Sequence, residues 1–214
     1  FYGAPIDVDN HEYWACKTAI EMQDKLAILR EGWQEEGDRW PEIVHNMQNR
    51  IGISSGQMVT GNMGSEARMN YTMMGDNVNT AARLESSAKQ YGIYIQIADS
   101  TYQAVKEKVV VRDLDNVRVL GKNEPVKVWE LISEVGQEPD QYKKILPAYH
   151  EALDLYKNQE WSKAIEAFKA SDELEEMFGG RKTNPSRIYI PRCEHYLENP
   201  PGEDWDGVWT LTSK

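Results

Sequence analysis

The sequence predicts an α+β domain followed by a small all-helical region. Three observations carry this reading: strand-like and helix-like stretches mix over residues 1–133, a polar linker with Gly136 and Pro139 follows over residues 134–141, and no strand pattern survives over residues 142–214. The length of 214 residues suits one large domain or two small ones. With 7 Trp, 11 Tyr and 3 Phe, the chain can fill a core although its mean hydropathy is only −0.67.

Residues 1–5, Phe-Tyr-Gly-Ala-Pro, read as the end of a strand already in progress, so the start is expected to be a cut rather than a beginning. Over residues 11–34 the apolar positions Trp14, Ala15, Ala19, Met22, Leu26 and Leu29 recur at threes and fours, as in an amphipathic helix. Residues 50–53 alternate as a strand, Ser55 and Gly56 supply a turn, and residues 58–60 return as the second arm of a β-hairpin. Residues 61–65 read as a loop and residues 71–74 as a short strand. Gly75 and Asp76 form a turn, with Asp76 capping a helix over residues 77–91 whose apolar positions include Val78, Ala81, Ala82, Leu84 and Ala88. A buried strand at 93–97, a short helix capped by Asp99 or Ser100, and strands at 109–120 and 126–132 complete the domain.

In the tail, Tyr149, Leu153 and Tyr156 mark one helix, Trp161, Ile165 and Phe168 a second, and Ile188, Tyr189, Cys193 and Tyr196 a third. The first two, split at Asn158 and Gln159, look like one tetratricopeptide-type unit.

Composition excludes several functions. A net charge of −11 with no Lys/Arg block argues against binding DNA or RNA, because phosphate backbones demand a basic face. Cys16 and Cys193 form no metal-type cluster and read as two buried thiols in a reducing compartment. No apolar run approaches the ~20 residues that span a bilayer, so this segment is expected to touch no membrane and to be cytoplasmic.

The densest run of unusual residues lies between Arg50 and Glu85. Gly56, Gly61 and Gly64 sit where backbone must turn or approach something closely, and the helix after Gly75 offers free N–H groups to an anion. Asn79 and Arg83 are four apart and share a helix face. On spacing alone two readings stay open: a solvated polar face, or an amide and a guanidinium that hold a ribose or phosphate oxygen.

The strings Arg50-Ile-Gly-Ile-Ser-Ser-Gly56, Gly61-Asn-Met-Gly-Ser65, Tyr71-Thr-Met-Met-Gly-Asp76 and Val78-Asn-Thr-Ala-Ala-Arg-Leu-Glu85, with Arg68 between them, closely resemble the class III adenylate/guanylate cyclase catalytic domain. Phe1-Tyr-Gly-Ala-Pro5, Val119-Leu-Gly-Lys122 and Glu124-Pro-Val126 extend the resemblance over residues 1–133. It implies a ferredoxin-like nucleotide cyclase domain whose N-terminal part is missing. By family resemblance Asn79 and Arg83 stabilise the transition state at the ribose and α-phosphate, and Thr72 helps to read the base. Its hydroxyl can accept from an adenine amino group, which favours ATP over GTP, although a β-branched residue also suits a strand for its own sake.

Two departures qualify the resemblance. The family's two metal-binding aspartates, which hold Mg²⁺ or Mn²⁺, and its usual base-reading Lys lie upstream of the segment matched, so no metal ligand is assigned to this chain. Leu120 stands where many members carry a phosphate-binding Lys; Lys122 either substitutes for it or is an exposed hairpin lysine. Family members pair head to tail, so a homodimer is implied, with ATP converted to cyclic AMP and pyrophosphate in intracellular signalling. The alternative is a catalytically inactive, cyclase-like regulatory or interaction module.

Overall fold

A computed structural model of the chain describes residues 1–117, 126–175, 181–202 and 204–209. In order, the elements are α1 (His11–Glu35), a 3-10 turn at Gly37–Arg39, α2 (Glu42–His45), β1 (Ile51–Ile53), β2 (Val59–Ser65), β3 (Arg68–Met74), α3 (Asp76–Tyr91), β4 (Ile95–Ala98), α4 (Asp99–Val105), β5 (Val109–Val117) and β6 (Val126–Glu134). Helices α5 (Tyr142–Lys157), α6 (Trp161–Leu174) and α7 (Pro185–Glu198) follow, so the architecture is α+β with an all-helical end.

The main sheet has the order β1-β4-β6-β5, with β1 parallel to β4 and the other pairs antiparallel. Side chains alternate across it as the period of two requires. Ile95, Ile97, Val109 and Leu131 meet Cys16 and Ala19 of α1 and Val105 of α4 on one face. Ala98, Leu114 and Val128 meet Leu84, Ala88 and Tyr91 of α3 on the other. On the first face Trp129 stacks on Tyr102 at 4.0 Å and donates to Asp99 at 3.0 Å.

Several expectations are corrected. The expected hairpin of residues 50–60 does not form: β1 pairs with β4 across the α3 crossover, and β2 pairs with β3 in register Val59 to Met74. The reason lies in the connection. Ser54 donates to Asn77 and Ser55 bonds to Thr101, tying the loop to α3 and α4 instead of closing a tight turn. The expected loop at 61–65 is therefore strand, and Gly61 sits in β2 opposite Thr72 with open space where a Cβ would stand.

Residues 1–5 form no strand; Gly3 turns the chain at φ 84 and Pro5 has no N–H to give a ladder. Gly75, not Asp76, occupies the cap position of α3, and Ala98 that of α4. Helix α1 forms where its periodicity places it, yet it buries only Cys16 and Ala19, leaving Trp14, Met22 and Leu29 exposed. Both thiols are free and buried, as the sequence suggests.

The tail packs on its own aromatic core: Tyr149, Leu153, Tyr156, Trp161, Ile165, Phe168, Tyr189, Cys193 and Tyr196 are all buried. These are the positions that mark its helices in the sequence, except Ile188, which packs against the α3 cluster instead. Asn184 caps α7 by accepting from the Arg187 N–H at 3.0 Å, and Pro185 opens the helix where its missing N–H costs nothing.

Candidate active site

Helix α3 is seated by its line of buried residues, Thr80, Leu84, Ala88 and Tyr91. Burial of a side chain such as Leu84 stabilises the fold by about 1.5–3 kcal/mol. At Gly52 a Cβ would stand 2.1 Å from the Ala81 carbonyl oxygen and 2.4 Å from the Glu85 nitrogen, so β1 and α3 touch only because Gly52 has no side chain. Asp76 opens the helix, where a carboxylate favours the positive end of the helix dipole.

With that line buried, Asn79 and Arg83 project from the exposed side of α3, together with Ala82, which the apolar periodicity places among the packing positions. Among the described residues neither side chain has a hydrogen bond or ion pair. Thr72 lies half-buried on β3, four residues before α3 begins, and the Gly75 turn joins the two elements. Lys122 and Leu120 lie outside the described residues.

Asn77 is a residue that the sequence reading did not single out. It accepts from Ser54 Oγ at 3.1 Å and donates to the Gln57 carbonyl at 3.2 Å, holding the loop after β1 against the start of α3. Gly56 permits this contact, since a Cβ there would stand 2.3 Å from the Asn77 amide nitrogen. The signal was present as an Asn two residues after the loop-to-helix glycine, but spacing does not tell a loop clamp from a solvated helix residue.

A cavity of about 700 Å³ opens between β1 and α1, lined by Ala15, Ala19, Met22, Ile51, Ile53 and Asn77 among others. Asn79, Arg83 and Thr72 are not among the residues that line it. Among the described residues no group of three or more His, Cys, Asp or Glu side chains stands close enough to hold a metal ion. An amide and a guanidinium are the groups that Asn79 and Arg83 offer on this face.

The family model of the adenylate and guanylate cyclase catalytic domain matches residues 2–133. The chain belongs to this family. It is 34% identical over 183 residues to the terminal-differentiation-specific adenylate cyclase of Dictyostelium discoideum, a match covering 84% of this chain and 8% of that protein. Such coverage necessarily runs past residue 133 into the helical tail. Adenylate cyclase 1 of Rhizobium meliloti is 29% identical over 134 residues, covering 63% of this chain and 19% of the relative. The chain therefore spans a small part of the curated cyclases it matches.

Among solved structures, the adenylyl cyclase CyaB from P. aeruginosa superposes with a TM-score of 0.53 at 28% identity, covering 64% of this chain and 68% of that one. The guanylyl cyclase Cya2 superposes with a TM-score of 0.51, also at 28% identity, covering 64% of this chain and 65% of its own. An adenylyl cyclase and a guanylyl cyclase thus share this fold. No helix among the described residues is long and apolar enough to cross a membrane.

Proposed function

We propose that this chain supplies one half of an adenylate cyclase active site, with Asn79 orienting the ribose and Arg83 neutralising charge that develops on the α-phosphate. The observation that carries this reading is the pair itself: an amide and a guanidinium on one exposed face of a firmly seated helix, without a partner among the described residues. Preorganised donors of this kind act on charge that appears only in the transition state. The reaction joins the ribose 3′ oxygen to the α-phosphorus as the hydroxyl proton is lost to solvent, breaks the bond from the α-phosphorus to the oxygen bridging to the β-phosphate, and releases cyclic AMP and pyrophosphate.

Thr72 reads the base by accepting from the adenine amino group, and Lys122 binds the triphosphate. The divalent ions, Mg²⁺ or Mn²⁺, are held by aspartates upstream of the matched segment, in a second copy of the protein paired head to tail with this one. The exposure of Asn79 and Arg83, which do not line the cavity of their own protomer, supports that pairing. The tail follows as a single helical pair of tetratricopeptide type with one added helix.

The test is cyclic AMP formation by a protein that joins these residues to the upstream aspartates. Replacing Asn79 or Arg83 by Ala is expected to lower kcat by about 10²–10³-fold, the effect of removing one oxyanion donor. Unchanged turnover in both variants overturns the role assignment. Nucleotide binding without turnover in the unsubstituted protein would instead establish the regulatory-module reading.

A further inference from the structure

We infer that Arg192, on α7 of the tail, is a positioning residue that fixes the direction of α3 and hence the placement of Asn79; this rests on the cyclase reading of that side chain. Besides its buried line and the Asn77 clamp at its start, α3 is held midway and at its end. Midway, Gly52 of β1 lies against the backbone at Ala81 and Glu85. At its end, the Tyr91 hydroxyl donates to Asp115 Oδ2 at 2.7 Å, and the same oxygen accepts from Arg192 Nη1 at 2.7 Å.

Three further contacts bring α7 to this point. At Gly92, φ 65, a Cβ would stand 2.0 Å from the Thr183 carbonyl oxygen, so bare backbone lets the tail reach the end of α3. Ile188 packs into the cluster of Leu84, Ala88 and Tyr91, and the Tyr189 hydroxyl donates to the Leu114 carbonyl. Arg192 itself has little freedom. Its side chain is 11% exposed against 3% for Asp115, and its guanidinium lies over the rings of Tyr189 at 4.9 Å and Trp209 at 5.5 Å.

Loosening the contact at its end lets α3 tilt about its middle against the Asn77 clamp, whereas the intact contact fixes its axis. With a rise of 1.5 Å per residue, Tyr91 lies roughly 12 Å from the Gly52 contact and Asn79 roughly 6 Å on its other side. A shift of ~1 Å at Tyr91 therefore moves Asn79 by ~0.5 Å, and a displacement of ~1 Å at a reacting centre costs about 10²-fold. A loss of about tenfold in kcat follows for removing the Arg192 contact.

Two measurements test this. In the 214-residue chain, Arg192→Met is expected to speed amide hydrogen exchange along α3 while α5 and α6 stay protected. In the longer protein carrying the upstream aspartates, the same variant is expected to lose about tenfold in kcat with KM for ATP unchanged within about twofold. Arg192→Lys, which keeps the charge, recovers at least half of that kcat. Should Arg192→Met fail to fold, Tyr91→Phe cuts the link from the α3 side, leaves Asp115 paired with Arg192, and carries the same expectation. Unchanged α3 exchange, unchanged kcat, or a KM change as large as the kcat change overturns the proposal. If Asn79→Ala and Arg83→Ala also leave kcat unchanged, the cyclase reading beneath it fails instead.

Discussion

Arg112 on β5 and Glu175 at the end of α6 meet as a buried ion pair that joins the cyclase sheet to the helical tail. Glu130 on β6 accepts from Arg112 Nε at 2.7 Å, and Arg181 approaches Glu175 at 2.9 Å, so two cations face two anions in one buried cluster. The guanidinium also lies over the Tyr149 ring at 5.1 Å and the Tyr142 ring at 5.9 Å. Burial disfavours its charge, but Glu130 and Glu175 outweigh that and hold its pKa above the ordinary arginine range.

Replacing Arg112 by Met leaves two buried carboxylates with only Arg181 to balance them. Breaking a buried pair in this way costs about 3–5 kcal/mol, more than a rim salt bridge. Urea unfolding of the two proteins reads the difference directly. A loss below about 1 kcal/mol, the range of a surface pair, would mean that the cluster does not join the sheet to the tail.

None of that cluster was legible beforehand. Arg112, Glu130, Glu175 and Arg181 each look like a solvated charge on a strand, helix end or loop, and only the docking of α5 and α6 on β5 buries them together. Helix α3 was legible because Leu84 and Ala88 repeat at helical spacing after a turn glycine, and the Asn79/Arg83 face follows from its phase. The pairing of β1 was not. Three residues, Ile51–Ile53, carry too little pattern to choose a partner, and the choice depends on Ser54 and Ser55 reaching α3 and α4.

Gly52→Ala tests the seating of α3. The added methyl would meet the Ala81 carbonyl oxygen and the Glu85 nitrogen, both backbone atoms that cannot rotate aside. Overpacking of this kind costs about 1–3 kcal/mol. Because relief requires α3 to move, turnover in the longer protein is expected to fall further than stability alone explains. Thermal unfolding beside kcat under conditions where the variant is fully folded separates the two, and a variant with reduced stability but full kcat would count against the coupling.

Cys16 and Cys193 are both fully buried, and burial pushes each thiol up to about 12. Only a thiolate attacks a disulfide reagent readily. In the folded chain neither is expected to react measurably with an aromatic disulfide at pH 8 in the time that a free thiol reacts to completion, and both are expected to react in denaturant. Counting the thiols released in each condition checks this. One fast thiol in the folded protein would place that cysteine on a surface, contrary to the packing described.

His150 on α5 supplies a pH dependence whose sign is fixed. Its Nε2 accepts from the Asp113 N–H at 3.4 Å, a bond that a protonated ring cannot make, and burial lowers its pKa below the ordinary histidine value. Asp113 and Asp154 pull the other way, while Arg112 and Lys157 add to the lowering. Between the folded pKa and the ordinary value near 6.5, the unfolded chain binds more protons than the folded one. Stability therefore rises with pH through that window, and the contribution of neutral His150 is lost as pH falls through it. Unfolding free energy measured at pH 7.5 and pH 6.0 is expected to drop more in the unsubstituted chain than in His150→Gln, whose side chain does not titrate. Most carboxylates stay ionised over this interval, so equal drops would mean that His150 charges as easily in the folded chain as in the unfolded one.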